Sequence, residues 1–457
     1  MLSKRIIIVV LLAICCQIVA AGDFESAASA VGNMRVGWNL GNTLESNSGD
    51  VNNMWIEAWT QRRPNDYETA WGQAVTKPEL LKMFKEAGFN AIRIPVTWYP
   101  HMEATFKGVK WNDATQGLTA WDTVADPIGT KIQAAWMKRV HEVVDYVVSQ
   151  GMYCILNVHH DTGDSNTAWL VASEADYAKQ KERFEELWRQ IAEEFKDYDE
   201  HLLFEGYNEM LDPYGSWCFA SFATSGSYNS TVATSAYKAI NSYAQSFVDA
   251  VRSTGGNNLQ RNLIVSTYGA CCGSGTWNTH LADPLKKMAL PADSVTGHLI
   301  FEVHSYFDVK DLSATKSSID QTISSVKSNL ASKGAPVIFG EWGSTTENCY
   351  DNYRGNLLAF ARYFVEKAKA SGMGMFYWMG LSDGKSRSVP EFSQADVKDA
   401  IIRGYYGDGG FSGIGNLTGN PMPAEYYNLA GRRLTVPQKG INVIRQAGEK
   451  TKKMVKR

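Results

Sequence analysis

Eight short apolar runs, each ending in polar or ionisable residues and separated by amphipathic stretches, predict a closed (β/α)8 barrel for this chain. Three observations carry that expectation. The runs are short, rich in Val, Ile and Phe, and lack the strict alternation of a half-exposed strand, so they fit strands buried on both faces. The stretches between them repeat apolar residues at helical spacing and stop at residues such as Gly88 and Gly151, where a helix end favours glycine. Eight such units are best satisfied by closure, which leaves no edge strand unpaired.

In chain order, 23–31 reads as a short helix and 34–42 as the first strand, followed by a long loop carrying Trp55, Trp59 and Trp71. Lys77-Pro78-Glu79 opens a helix with Leu80, Leu81, Phe84 and Ala87 on one face. The second strand is 90–96, and the loop beyond it is again aromatic, with Trp98, Tyr99, Trp111 and Trp121. A helix over 131–150 leads to the third strand at 153–158, and a helix over 174–195 to the fourth at 202–209. After a helix over 231–252 come the fifth strand at 262–268 and the sixth at 299–306. A polar helix over 313–333, the seventh strand ending at Glu341, a helix over 350–370, the eighth strand at 373–378 and a closing helix over 390–403 complete the set.

The chain of 457 residues divides by composition into three parts: 1–21, a barrel domain over 22–415, and a basic tail over 416–457. Met1-Leu2-Ser3-Lys4-Arg5, the apolar run 6–16 and the small residues Val19-Ala20-Ala21 have the layout of a signal peptide cleaved near Ala21, so a secreted or cell-surface protein is expected. The run is too short for a stable membrane span. Leu12-Ala13-Ile14-Cys15 is a poor match to a lipoprotein cleavage site. The tail, with Glu425-Tyr426-Tyr427-Asn428-Leu429 and Gly440-Ile441-Asn442-Val443-Ile444, looks like sorting or surface-anchoring tails of some secreted proteins, and equally like a solvated basic end. A net charge of -3 gives no reason to propose nucleic acid as partner. Beyond the leader, Cys154 reads as a buried small hydrophobe. Cys218, Cys271, Cys272 and Cys349 read as loop residues that allow one or two disulfides in an unspecified pairing.

The strand exits carry Asn42 and Glu45, Arg93, His159 and His160, Asn208 and Glu209, His304 and Tyr306, Glu341, and Trp378. In a parallel barrel these ends share one rim. Two carboxylates, Glu209 and Glu341, delivered there from different strands are what glycoside hydrolysis requires. Glu205 and Glu302 lie upstream of their strand ends, and are expected to face helices or to form ion pairs in the barrel wall.

Gly37-Trp38-Asn39-Leu40-Gly41-Asn42, Asn90-Ala91-Ile92-Arg93-Ile94-Pro95, Asn157-Val158-His159-His160, Tyr207-Asn208-Glu209, His304-Ser305-Tyr306, Gly340-Glu341-Trp342 and Phe376-Tyr377-Trp378 resemble, in order, the motifs of family 5 of the glycoside hydrolases, the cellulase family. The resemblance spans about 34–380 and implies a retaining endo-β-1,4-glucanase acting on cellulose or mixed-linkage β-glucan, with mannanase or xyloglucanase as alternatives. It implies Glu209 as acid/base, Glu341 as nucleophile, and Arg93, His159, Asn208, His304 and Tyr306 as their support. Asn42, Glu45, His160 and Trp378 become sugar contacts. No metal or cofactor is implied, a polysaccharide is the partner, and a monomer is expected. The loops depart from the familiar pattern at Met210-Leu211-Asp212, over 214–228 and at Cys271-Cys272-Gly273, which leaves the substrate open. Two rival readings stand beside this one: a metal cluster of His159-His160-Asp161 with His304, and a catalytically silent sugar-binding protein on the same scaffold.

Overall fold

Eight parallel strands close on themselves in sequence order: β1 (Gly37–Asn39), β2 (Ala91–Ile94), β3 (Tyr153–Asn157), β4 (Leu202–Glu205), β5 (Leu263–Cys271), β6 (Leu299–Phe307), β7 (Val337–Ser344) and β8 (Gly374–Tyr377), with β8 paired back to β1. The computed structural model describes residues 24–48, 55–60, 63–102, 106–112, 117–123, 131–164, 168–217, 228–274, 279–409, 425–427, 433–434, 440–445 and 452–456. The proposed leader over 1–21 lies outside them. No helix among the described residues is long and apolar enough to cross a membrane.

The helices fall where periodicity puts them. They are α1 (Ala27–Met34), α2 (Pro78–Glu86), α3 (Ala134–Val148), α4 (Glu174–Glu194), α5 (Ser230–Ser253), α6 (Leu312–Asn329), α7 (Arg354–Ala370) and α8 (Ala395–Tyr406). Pro78 occupies the first turn of α2, and the Ser173 and Asn229 side chains accept backbone N–H groups at the starts of α4 and α5. Between β5 and β6 only the five-residue helix Asp283–Lys287 forms. α1 closes the bottom of the barrel: Ala27, Ala30, Val31 and Met34 pack with Ala91, Ile155, Leu203, Ile264, Ile300, Ile338 and Phe376 in one apolar layer.

Two local features position the upper layers. The β6–β7 register skips from Val303↔Phe339 to His304↔Glu341, so Gly340 is the extra residue of a bulge. The bulge resets side-chain parity: Phe339 and Trp342, three apart, both pack on Phe364 of α7, while Glu341 faces the barrel axis. β5 runs on through Gly269 and Ala270, both at positive φ, to Cys271, so that residue ends a strand and is not in a loop. Cys271 is disulfide-bonded, to a partner outside the described residues. Cys154 is free and buried, and Cys272 and Cys349 are free and part-exposed.

Elements within two loops went unread in the sequence. The aromatic segment after β2 holds an antiparallel hairpin, Phe106–Asn112 with Gly117–Thr123, and the loop after β1 holds the short helices Trp55–Thr60 and Pro64–Thr69. The chain divides into two units between Tyr405 and Tyr406, ahead of the expected boundary at 415. In the second unit, Arg433–Leu434, Glu425–Tyr427, Gly440–Arg445 and Lys452–Lys456 form a four-stranded antiparallel sheet in that spatial order.

Candidate active site

Arg93 on β2 is fully buried on the barrel axis and anchors the site. Its Nε and Nη2 donate to the two oxygens of Glu205 at 2.6 and 2.7 Å. Nη1 donates to Glu341 at 2.9 Å and to Asn39 at 3.0 Å, Nη2 also to Asn208 at 2.7 Å, and Nε lies 3.4 Å from Glu302. The planar fork lets one side chain hold five groups from four strands or their exits. Burial opposes the guanidinium charge, but Glu205, Glu302 and Glu341 outweigh it and hold the proton firmly.

Glu205 and Glu302 thus face inward, which corrects the expectation that they face helices; the ion-pair alternative is the one realised. Both are fully buried. They divide the influence of one arginine: burial pushes the Glu205 carboxyl up to about 7 against Arg93's pull. For Glu302, burial is outweighed by Arg93 and His304, which lower it.

One layer higher, the two rim carboxylates meet. An oxygen of Glu209, an oxygen of Glu341 and a ring nitrogen of His304 all lie within 4.8 Å of one another. His304 Nδ1 is 2.7 Å from Glu209 and 3.5 Å from Glu341. Tyr306 donates its hydroxyl to Glu341 Oε2 at 2.5 Å, while Arg93 holds Oε1. The Glu209 side chain is 22% exposed and that of Glu341 5%, so the first meets solvent at the opening and the second lies behind it. Burial raises the Glu341 carboxyl, with His304 and Arg93 pulling the other way. Burial also works against protonation of His304, yet Glu341, Glu209 and Glu302 outweigh it and keep the imidazole charged well above its ordinary range.

The remaining rim residues surround this pair. Asn208 lies 3.4 Å from His159 Nε2, and Asn157 donates to Glu205 and contacts His159 Nδ1. Burial lowers His159 well below its usual value, so it is neutral, and its ring lies parallel to Trp378 with centroids 5.9 Å apart. His160, which burial lowers to about 4, packs its ring against Trp71. Asn42 is half-buried at positive φ and follows Gly41, where a Cβ would lie 3.1 Å from the Trp378 ring. Glu45 departs from its expected role as a sugar contact. It is fully buried and its carboxylate accepts the backbone N–H groups of Asn42 and Thr43, so it builds the loop that presents Asn42.

The metal cluster fails on Asp161, whose oxygens are taken by the N–H groups of Trp98, Tyr99 and Trp169. Among the described residues, the grouping with ligand-like spacing is Glu209, His304 and Glu341, already engaged by Tyr306 and Arg93. Residues the sequence reading missed are Asn39, Asn157 and Trp71. For Asn157 a signal existed, because it sits two residues before His159 and shares its face.

A barrel with this rim defines an enzyme of a recognisable kind, a hydrolase of O-glycosyl bonds. Residues 53–383 match the family model for cellulase, glycosyl hydrolase family 5. Endoglucanase A of Clostridium longisporum is 32% identical over 412 residues, covering 85% of this chain and 67% of that protein. Among solved structures, a GH5-4 broad specificity endoglucanase from an uncultured bacterium is 50% identical with a TM-score of 0.75, over 86% of this chain and 98% of that one. A mutant of a family 5 enzyme of Prevotella bryantii B14, in complex with a xyloglucan tetradecasaccharide, is 37% identical with a TM-score of 0.69, over 84% and 99%. The chain belongs to glycosyl hydrolase family 5, and within it resembles the endoglucanases.

Proposed function

We propose that this protein is an exported endo-β-1,4-glucanase that cuts cellulose or mixed-linkage β-glucan with retention of anomeric configuration. The carboxylate spacing carries the mechanistic part. Oxygens of Glu209 and Glu341 within 4.8 Å suit direct attack on the anomeric carbon, whereas an inverting pair stands about 6.5–9.5 Å apart to admit a water. Glu341 attacks while Glu209 protonates the leaving oxygen, and Glu209 then takes a proton from the water that cleaves the glycosyl-enzyme. Arg93 and Tyr306 keep Glu341 ionised and aimed. Asn208 faces the sugar 2-hydroxyl, and Trp378, part-exposed at the rim, offers the ring on which a sugar stacks. Export is supported by the layout of residues 1–21, and the basic tail is the segment proposed to sort or anchor the protein.

A second reading, action on xyloglucan, is favoured by the 37% identical structure bound to a xyloglucan oligosaccharide. A panel of carboxymethyl cellulose, mixed-linkage glucan, xyloglucan and glucomannan decides between them, with reducing ends counted and the first product's anomer followed by NMR. The β-anomer should appear first, and Glu341→Ala should lower turnover by about 10⁴-fold or more. An α-anomer appearing first would overturn the mechanism, and equal turnover by wild type and variant would overturn the enzymatic reading.

A further inference from the structure

The mechanism uses Glu209 but gives no part to His304 beside it, and none to Glu302 beyond its charge next to Arg93. A fully buried carboxylate is costly, so its surroundings should explain it. Glu302 Oε2 accepts the Ser266 hydroxyl at 2.5 Å, and Oε1 lies 3.4 Å from His304 Nε2 and 3.4 Å from Arg93 Nε. Its space is provided by the neighbouring strand. A Cβ at Gly340, the bulged residue of β7, would sit 1.5 Å from Glu302 Oε1, so the carboxylate occupies the place of a missing side chain.

We propose that Glu302 is a positioning residue for the acid/base: it accepts the Nε2 hydrogen of His304 and thereby keeps Nδ1 turned to Glu209, ready to hold or return the proton that Glu209 moves. The alternative tautomer would aim the bare Nε2 lone pair at a buried carboxylate, and like electron density repels. With Nε2–H fixed, Nδ1 and Glu209, 2.7 Å apart, share one proton: in the resting enzyme Nδ1 carries it while Glu209 is ionised, and Nδ1 accepts a hydrogen bond from Glu209 once the proton has passed to the carboxyl for delivery. The proton delivered to the leaving oxygen in the first step is recovered from water in the second, so the chain Glu302, His304, Glu209 ends each cycle as it began. The groups facing His304 are Glu209, Glu302 and Glu341, with His159 beyond. Those facing Glu302 are Arg93, Glu205, Ser266, His304 and Tyr207.

This inference rests on the glycosidase reading above, and the experiment separates the two. kcat/KM is measured against pH for wild type and Glu302→Gln, on a soluble β-glucan and on a dinitrophenyl β-cellobioside whose leaving group departs without a proton. Failure of the wild type on both substrates rejects the glycosidase reading itself. On glucan the variant should lose about 10- to 100-fold, with its alkaline limb displaced to lower pH because the imidazolium has lost a counter-charge. On the aryl glycoside it should stay within about threefold of wild type, since no acid is needed there. Equal losses on both substrates, an unmoved alkaline limb, or a variant matching wild type throughout would each overturn the inference and leave the wild-type function standing. If the variant does not fold, wild-type protein carrying isotope-labelled histidine answers the same question by NMR, with His304 assigned by its loss in His304→Asn. Protonation at Nε2 throughout, with Nδ1 titrating, is expected; Nδ1–H with a bare Nε2 at high pH overturns it.

Discussion

Four glutamates lie close to one arginine axis, and they form two unlike pairs. Glu205 and Glu302 make the floor: neither is exposed, and their oxygens are occupied by Arg93, Asn157, Ser266 and His304. Glu209 and Glu341 make the rim, 22% and 5% exposed, with an oxygen of each within 4.8 Å of the other. Residue type does not separate the pairs; depth along the strand does. An acid on the floor organises charge that water never reaches, whereas an acid at the rim keeps an open side for a reacting atom. Rim substitutions should therefore cost rate with little stability and a substitution at Glu205 the reverse, while Glu302, which reaches the rim through His304, should cost rate as well.

The sharpest way to break that contrast is at Glu209. Glu209→Gln should reduce kcat/KM on glucan by about 10²- to 10⁴-fold, the usual worth of a placed acid, while thermal unfolding stays near that of wild type. A loss of that size accompanied by a large fall in Tm would erase the distinction. Glu205→Gln tests the floor. It leaves Arg93 without its two-point partner and turns an amide N–H toward the guanidinium, so stability should fall by about 3–5 kcal/mol in chemical denaturation. Turnover per folded molecule should change by less than about tenfold, because Arg93 keeps its bond to Glu341. A stable Glu205→Gln protein with rates as low as a rim variant would move Glu205 into the catalytic group.

The same contrast explains what could be read from the sequence. Every barrel strand was legible, because a strand buried on both faces must be apolar and its polar exit marks where the barrel stops. His304, Tyr306, Asn208 and Glu341 were legible for the same reason, standing at the break between apolar run and loop. The floor was not, since an acid inside an apolar run is ambiguous until strand parity is known. Parity did carry a clue in one place: Glu302 is two residues from His304 and so shares its face. At β7 parity fails, because the bulge adds a residue, and the one sign of it in the sequence is the isolated Gly340 within the apolar run. The loop elements were hidden for another reason. The paired strands Phe106–Asn112 and Gly117–Thr123 and the helix Trp55–Thr60 lie in stretches whose aromatic residues suit a substrate wall as well as a strand or helix.

Glu45 gives the smallest expected effect and extends the contrast to a loop. It is buried like a floor acid, yet it lies beyond β1 and accepts two backbone N–H groups with no cation bonded to it; the nearest, Arg387, donates to the carbonyls of Gly41 and Ser382. Burial pushes its carboxyl from 4.5 up to about 7, with the N–H groups of Thr43 and Asn42 pulling down. A carboxyl raised on folding binds its proton more tightly in the native state, so its contribution to stability is complete below about pH 4.5 and declines as pH rises to about 7. Gln cannot ionise, and its amide supplies one acceptor where two are used. Glu45→Gln should thus be less stable than wild type at pH 5 by about 1–3 kcal/mol, the cost of one unpaired buried N–H. The gap should narrow by pH 8, as ionisation penalises only the wild type. Melting curves across that range check it. A gap that widens with pH would mean that the two N–H groups prevail over burial, so that Glu45 is held ionised and belongs with the charged floor.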